Sequence, residues 1–158
     1  MNLAGKTNAQ VADVFQYLFI RNGKNAAAGG PVKVDAQVMA LALATYVTST
    51  NLAGGNYAAS YGFHTSVDGI AYAKFDVYSE LTAQETTDLG LTPTVTPPSG
   101  CVGAHGYVTI IDILISADNL SRNGLLYDAD GNHVVSTAEL RLRTLANELF
   151  TEINEGND

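Results

Sequence analysis

The chain lacks several features that mark common classes of protein, and each absence narrows what it can do. Its 158 residues include a single cysteine, Cys101, which excludes an internal disulfide and a cluster of thiolate metal ligands. No apolar run reaches the ~18 residues that a membrane span requires, so no membrane insertion is predicted. The first residues lack a basic region followed by an apolar stretch, so no signal peptide is predicted within this chain.

Basic residues are also scarce. Lys and Arg number 8 against 16 Asp and Glu, which gives a net charge of -8. A protein that binds phosphate backbones needs clustered Lys and Arg, so no nucleic-acid partner is predicted. An acidic surface instead suits cations, although a need for solubility alone would also explain it.

Four stretches carry apolar residues at helical spacing, and we expect a helix in each. The first follows Thr7, the second begins near Asp35, the third spans residues 109–120, and the last spans residues 136–155. Thr7, with Gln10 three residues later, has the spacing of a capping box. The second helix is expected to bury a single face, formed by Val38, Leu41, Ala42, Thr45 and Tyr46.

The remaining segments predict a small β element and a loop. Residues 61–78 contain two β-prone runs on either side of Asp68-Gly69, which is typical of a hairpin turn. Residues 83–108 are rich in Thr, Pro and Gly, so a long surface loop is expected there. The sequence therefore predicts an α+β fold that is mainly α, with about four helices packed together and one small β-hairpin. A single domain over residues 1–158 suits this length.

Residues 128–139, DADGNHVVSTAE, place oxygen-bearing groups where a twelve-residue calcium loop needs them. Calcium takes six to eight oxygen ligands, and such a loop supplies them from positions 1, 3, 5, 7, 9 and 12. The stretch closely resembles the calmodulin-type EF-hand loop, and the resemblance implies one bound Ca²⁺. With the loop starting at residue 128, the predicted ligands are Asp128, Asp130, Asn132, the backbone carbonyl of Val134, Ser136 and Glu139.

His133 departs from that pattern, because the sixth position of such a loop normally holds glycine. We expect His133 to adopt a positive φ, since histidine is among the residues that tolerate it. Ser136 and Glu139 also form a capping box, which explains those two residues alone and not the acidic and amide residues before them. The chain contains no second loop of this kind, so a static structural site is predicted rather than a sensor.

Other chemistry-bearing residues form weaker patterns. Cys101 and His105 lie four apart, but nucleophile and base usually come from distant parts of a sequence. His64 is expected in a strand, and Asp76 and Glu80 are either paired carboxylates or one polar strand face. Five aromatic residues cluster around the predicted hairpin, namely Tyr57, Tyr61, Phe63, Tyr72 and Tyr78. Most of them are expected in the core or half-buried in the sheet, and an exposed subset could form a contact surface.

Further tracts resemble a module found at the C-terminal ends of large secreted surface proteins of environmental bacteria. They are NLAGKTNAQVADVFQYLF, VDAQVMALALATYVTSTNLAGG, AASYGF, NGLLYDADGN and LANELFTEINE. These tracts are mainly core patterns and hold no catalytic motif. The resemblance implies an extracellular or cell-surface location, and a role in attachment, anchoring or assembly.

Three hypotheses for function remain open at the level of sequence. The leading one is a non-catalytic extracellular calcium-binding module that mediates surface attachment, anchoring or contact with a protein partner. The second is a calcium-stabilised subunit that self-assembles into an extracellular filament or sheet. The third is a hydrolase that uses the region 83–108 and His105.

Overall fold

The computed structural model describes residues 3, 5–24, 33–52, 57–96 and 103–156. Its elements confirm the predicted class, a mainly helical α+β fold with a small antiparallel sheet. No helix within these ranges is both long enough and apolar enough to cross a membrane. In chain order the elements are α1 (Asn8–Lys24), α2 (Val34–Thr48), β1 (Lys74–Asp76), α3 (Ala83–Asp88), β2 (Thr94–Thr96), β3 (His105–Thr109), α4 (Ile110–Asn119) and α5 (Thr137–Glu155).

Local capping fixes where three of these helices begin. The Gln10 side chain accepts a hydrogen bond from the Thr7 backbone N–H (2.9 Å), and the Thr7 hydroxyl accepts one from the Gln10 N–H (3.3 Å). The Thr109 and Ser136 hydroxyls each accept a bond from the backbone N–H three residues later. Such contacts satisfy N–H groups that have no partner inside the helix. The predicted starts of α1, α4 and α5 are therefore confirmed.

Helix α2 is buried on two sides rather than on one. It packs against both α1 and α5. Leu41 belongs to the larger apolar cluster, whereas Ala36 and Met39 pack with Leu18 of α1 in a second, smaller cluster. The single buried face predicted for α2 is therefore wrong in part, since Ala42 and Tyr46 of that face are exposed.

The larger cluster forms the main core, and α5 supplies its centre. Buried residues from the helices, the sheet and the segment after α4 meet there. Burying each Val, Leu, Ile or Phe side chain of this cluster stabilises the fold by roughly 1.5–3 kcal/mol relative to exposure. Its least exposed members, at 2% or below, are Val34, Leu41, Val77, Leu89, Ile113, Ala117, Ala146, Leu149 and Phe150.

The predicted hairpin around residues 68–69 is wrong. Residues 66–72 form turns that lie against the end of α2, where the Thr50 N–H donates to Ser66 O (2.9 Å) and the Ser66 N–H donates to Thr48 O (3.1 Å). Strand β1 (Lys74–Asp76) does fall within the second of the two β-prone runs, but residues 61–67 form no strand to pair with it. Strands β1 and β2 both pair antiparallel with β3, which gives the order β1-β3-β2.

The long surface loop predicted over residues 83–108 is replaced by regular structure in the described part of that segment. Helix α3 begins after Thr82, whose hydroxyl accepts a bond from the Glu85 N–H (3.3 Å). Strand β2 and the first residues of β3 also fall within it, and β2 places Thr94 opposite Tyr107. The capping of α3 and the pairing of β2 with β3 thus give this segment regular structure, although its composition is typical of a loop.

Candidate metal centre

The acidic stretch 128–139 folds as a series of tight turns that join the segment after α4 to α5. Asp128 accepts two backbone N–H bonds, from Gly131 (3.0 Å) and from His133 (3.1 Å). Asp130 accepts one from the Asn132 N–H (3.0 Å). Each acidic or amide side chain thus fixes the backbone ahead of it, which is the usual behaviour of Asp and Asn in turns.

Asn132 continues the same ladder of turns. Its side-chain oxygen accepts a bond from the Val134 N–H (2.6 Å), and its side-chain nitrogen donates to Asp130 (2.7 Å). The Val134 side chain is 67% exposed. The role of the Val134 carbonyl oxygen as a calcium ligand stays a prediction.

His133 has a φ of 61°, which confirms the conformation predicted from the departure at the sixth position. A left-handed conformation costs a non-glycine residue on the order of 1 kcal/mol. The bond from the His133 N–H to Asp128 helps to hold it there. Histidine at this position therefore does not prevent the loop from forming.

Glu139 closes the loop and caps α5 at the same time. One of its carboxylate oxygens accepts bonds from the Ser136 N–H (2.8 Å) and the Ser136 hydroxyl (2.7 Å). The other accepts a bond from the Ala129 N–H (3.0 Å), so Glu139 ties the start of the loop to the helix. Glu139 therefore serves the capping box and also closes the turns of residues 128–139.

Hydrogen bonding keeps Glu139 ionised. The bonds from the Ser136 backbone and side chain lower the pKa of Glu139, burial opposes them, and the Ala129 N–H lowers the pKa further. The net pKa lies below the ordinary value of a glutamate. Because a lowered pKa extends the ionised form to lower pH, Glu139 is negatively charged at neutral pH.

Three carboxylates of the loop converge. Asp128, Asp130 and Glu139 each place an oxygen within 4.8 Å of the others, and Asp128 and Glu139 are only 1% and 6% exposed. Among the ion pairs of the described residues, none involves these three side chains. Like charges at this separation repel one another, and oxygen donors of this kind suit a hard cation such as Ca²⁺. The donor set therefore fits the predicted metal.

A buried ion pair supports the segment that leads into the loop. Arg143, on α5 and 2% exposed, donates to the Leu126 carbonyl (2.6 Å) and lies 3.4 Å from the Asp35 carboxylate of α2. Leu126 precedes Tyr127, a buried residue with a φ of 56°. Burial raises the pKa of Tyr127, and Arg143 offsets only part of that effect.

Sequence reasoning missed this pair, although α5 carries a signal for it. Residues 139, 142, 146 and 149 lie on the inward face of the helix, and position 143 falls on the same face. A charged residue on a buried face needs a partner. That argument would have singled out Arg143 but would not have identified Asp35, 108 residues away.

Within the part of the chain that the structure describes, the other candidate residues do not assemble into a second metal site. Cys101 lies outside the described residues. His64 is exposed and does not lie in a strand, which corrects its prediction. His105 is about half exposed, and it does not line the open cavity of about 320 Å³ beside α4. Of the aromatic residues predicted in the core or half-buried, only Tyr78 fits, because Tyr57, Tyr61, Phe63 and Tyr72 are exposed.

His105 instead joins two strands through Asp76. One Asp76 oxygen contacts His105 Nδ1, and the other accepts bonds from the Gly106 N–H (2.9 Å) and the Tyr78 N–H (3.2 Å). Burial raises the pKa of Asp76, but the bonds from His105, Gly106 and Tyr78 together lower it more. The Asp76 carboxylate therefore clamps β1 to β3. Glu80 is exposed and takes no part in these contacts.

The clamp predicts a pH-dependent contribution to stability. Because the pKa of Asp76 is lowered in the fold, its contribution is present above the unfolded value of ~3.9 and is lost as the pH falls through the folded value. We expect Asp76→Asn to lower the free energy of unfolding by about 1–2 kcal/mol at pH 7. Urea unfolding followed by circular dichroism from neutral pH to pH 3 measures this. The variant should approach the wild type at the acid end.

The exposed Glu148 of α5 provides the control for that experiment, since Glu148→Gln should change stability by less than about 0.5 kcal/mol. An equal loss in both variants would show that the Asp76 contacts do not clamp the sheet.

Comparison with known proteins adds no relative. The chain matches no family model, no curated protein and no solved structure. Its function therefore has to be inferred from its own residues.

Proposed function

We propose that the chain is a non-catalytic extracellular module that binds one structural Ca²⁺ in residues 128–139 and mediates contact at a cell surface. The observation that carries the calcium part is the convergence of Asp128, Asp130 and Glu139 within 4.8 Å. Two of these carboxylates are almost fully buried, and none belongs to an ion pair of the described residues. A divalent cation would remove their mutual repulsion.

The ligands in this proposal are Asp128, Asp130, Asn132, the Val134 carbonyl, Ser136 and Glu139. Bound calcium would supply the positive charge that offsets the three carboxylates, and it accepts six to eight oxygen ligands in a flexible geometry. The chain's own part is to hold the donors in place, through the Asx turns and the capping box. Asp128 and Glu139 have their places before any ion binds, because backbone N–H groups hold both carboxylates.

A static role follows from the connections of the loop. The Ala129 N–H bonds to Glu139, and Arg143 of α5 bonds to the Leu126 carbonyl just before the loop. These contacts already join the segment after α4 to α5. Calcium binding would therefore strengthen an existing junction rather than open a groove, as a sensor does.

The extracellular and contact parts of the proposal rest on two supports. The first is the resemblance of several tracts to modules of secreted bacterial surface proteins. The second is that one isolated loop suits the weak affinities of extracellular sites, about 10⁻⁴–10⁻³ M, where calcium is abundant.

Calcium titration of the melting temperature tests the metal site. At these affinities, about 10 mM calcium should stabilise the folded state by about 1.4–2.7 kcal/mol. For a chain of this size, that corresponds to a rise in Tm of roughly 3–10 °C. Differential scanning calorimetry after chelation, with and without added calcium, measures the shift.

Two variants make the test specific. Glu139→Gln keeps the capping box, because Gln also reaches back to the Ser136 N–H, but it removes the bidentate carboxylate. It should abolish the calcium shift. Glu85→Gln alters the matching box of α3 and should keep the shift. An unchanged Tm in the wild type, or an equal shift in Glu139→Gln, would reject the calcium site.

A further inference from the structure

An unusual group of apolar side chains lies on the surface after α2. Monomers rarely expose apolar patches above a few hundred Å², and larger ones mark interaction sites. Each side chain in this group is more than half exposed, and we call the group the aromatic face. Its members are Leu52 (54%), Tyr57 (67%), Tyr61 (68%), Phe63 (51%) and Val67 (61%).

A short turn presents the aromatic part of this face. Residues Ala58–Tyr61 form one 3₁₀ turn, and the Phe63 N–H donates to Ala58 O (3.3 Å), which folds Phe63 back on it. The Tyr57 and Tyr61 rings meet edge to face, with centroids 5.3 Å apart. Their hydroxyl oxygens are 3.0 Å apart, and this bond raises the pKa of Tyr61.

Backbone pairing holds the aliphatic part nearby. The Asn51 N–H donates to Val67 O (3.4 Å), so Leu52 lies next to the strip that carries Val67. Val67 is only four positions after Phe63, which limits their Cα distance to about 14 Å. The backbone bonds and the short spacing therefore keep the five residues in one region of the structure.

Charge is almost absent from this region. Across residues 46–72, Asp68 is the only one of the chain's 16 acidic residues, and none of its 8 Lys and Arg residues occurs. The rest of the chain carries nearly all of the net charge of -8. Two copies of this chain would repel each other in most orientations, and least where their charge-poor regions meet.

We propose that the aromatic face is the contact through which two copies of this chain form a symmetric dimer. A two-fold contact brings the same patch together on both copies, so a neutral face meets a neutral face. The hydroxyls of Tyr57 and Tyr61 bond to each other, which reduces the cost of removing them from water. This names the partner in the contact role proposed above, and it does not depend on calcium.

The exposed area is adequate for such a dimer. Tyr46 and Tyr72 flank the face in the sequence, at the two ends of the charge-poor segment, and are 50% and 65% exposed. A large aromatic side chain can bury ~150–250 Å², so the face and its flanks offer roughly 700 Å². A standard interface takes ~800 Å² from each partner, which places this contact near the usual size.

Sedimentation velocity over a wide range of concentrations tests the proposal. We expect a reversible monomer–dimer equilibrium that tightens as salt rises, because salt screens the repulsion between acidic copies. Tyr61→Ser and Phe63→Glu should each raise the dimer dissociation constant by ~10-fold or more. Ile115→Ser, at a 50% exposed position on α4, should leave it unchanged.

Three results would overturn the proposal. They are a monomer at every concentration and salt, a dimer that both face variants leave intact, and an association that Ile115→Ser weakens as strongly. A strict monomer whose tyrosine fluorescence responds to a neutral polysaccharide would assign the face to carbohydrate instead. Runs in calcium and in chelator, beside calorimetric calcium titration, separate this inference from the calcium proposal, since either can fail alone.

Discussion

Replacing Arg143 with methionine is expected to lower the free energy of unfolding by about 3–5 kcal/mol, a large effect for one side chain. The Arg143 side chain is 3% exposed, and its guanidinium bonds to the Leu126 carbonyl and lies 3.4 Å from Asp35. Methionine fills similar space but supplies neither the donor nor the charge. The Asp35 carboxylate would then be buried without its Arg143 partner. Denaturant unfolding with and without the change measures the loss.

Arg141 provides a matched control two residues earlier on the same helix. It is about half exposed and pairs with Asp88 (2.5 Å) and Glu85 (3.8 Å) across the surface. Exposed pairs contribute little, so Arg141→Met should be far milder. A similar loss in both variants would show that solvent reaches Arg143 and that the buried pair does not exist in solution.

A double variant gives the physical signature of the pair. Replacing Asp35 with leucine in the Arg143→Met background removes both buried charges. Apolar replacements of a complete buried pair are often neutral, so the double variant should be more stable than Arg143→Met alone. With Asp35→Leu alone completing the cycle, strict additivity of the two single losses would contradict direct coupling between Asp35 and Arg143.

Arg143 also bears on how much of the candidate site the sequence could predict. The turns of residues 128–134 and the capping box were accessible because their signals are local. Asp128, Asp130 and Asn132 accept bonds from backbone N–H groups two to five residues later, and the positive φ of His133 followed from one position. The Asp35–Arg143 pair, which supports the segment before the loop, could not be predicted from the sequence. Its two residues are 108 positions apart and meet only because α2 packs on α5.

The same division applies to the fold. Capping boxes at Thr7 and Ser136 lie within four residues, so the starts of α1 and α5 were predictable. The burial of α2 was not, since apolar periodicity assumes one buried face and α2 packs against helices on two sides. The sheet was missed for a related reason. Strand β1 pairs with β3 about thirty residues later, and no short-range pattern encodes that pairing.

Gly69→Ala is the second change for which we expect a large effect, about 3 kcal/mol or more of lost stability. Gly69 has a φ of 59°, and an added Cβ would lie 2.5 Å from Thr48 Oγ1 and 2.6 Å from the Ser49 N. Those atoms cannot retreat easily. The Thr48 Oγ1 accepts a bond from the Ile70 N–H (3.1 Å), and Ser49 is bridged to Ser66. Thermal unfolding and hydrogen exchange at residues 48–52 would report the loss.

Gly62→Ala separates close packing from backbone strain. Gly62 also has a left-handed φ, 89°, but no atom lies within 4 Å of an added Cβ. It should cost only about 1–2 kcal/mol, the conformational part of the Gly69 effect. Equal losses of stability in the two variants would mean that residues 66–72 do not pack on the end of α2. The predicted hairpin at Asp68-Gly69 would then become possible again. A clearly larger loss of stability for Gly69→Ala than for Gly62→Ala would mean that Gly69 is needed for the tertiary contact with the end of α2. The glycine then supports the aromatic face, because the strip that it holds against α2 carries Val67 beside Leu52.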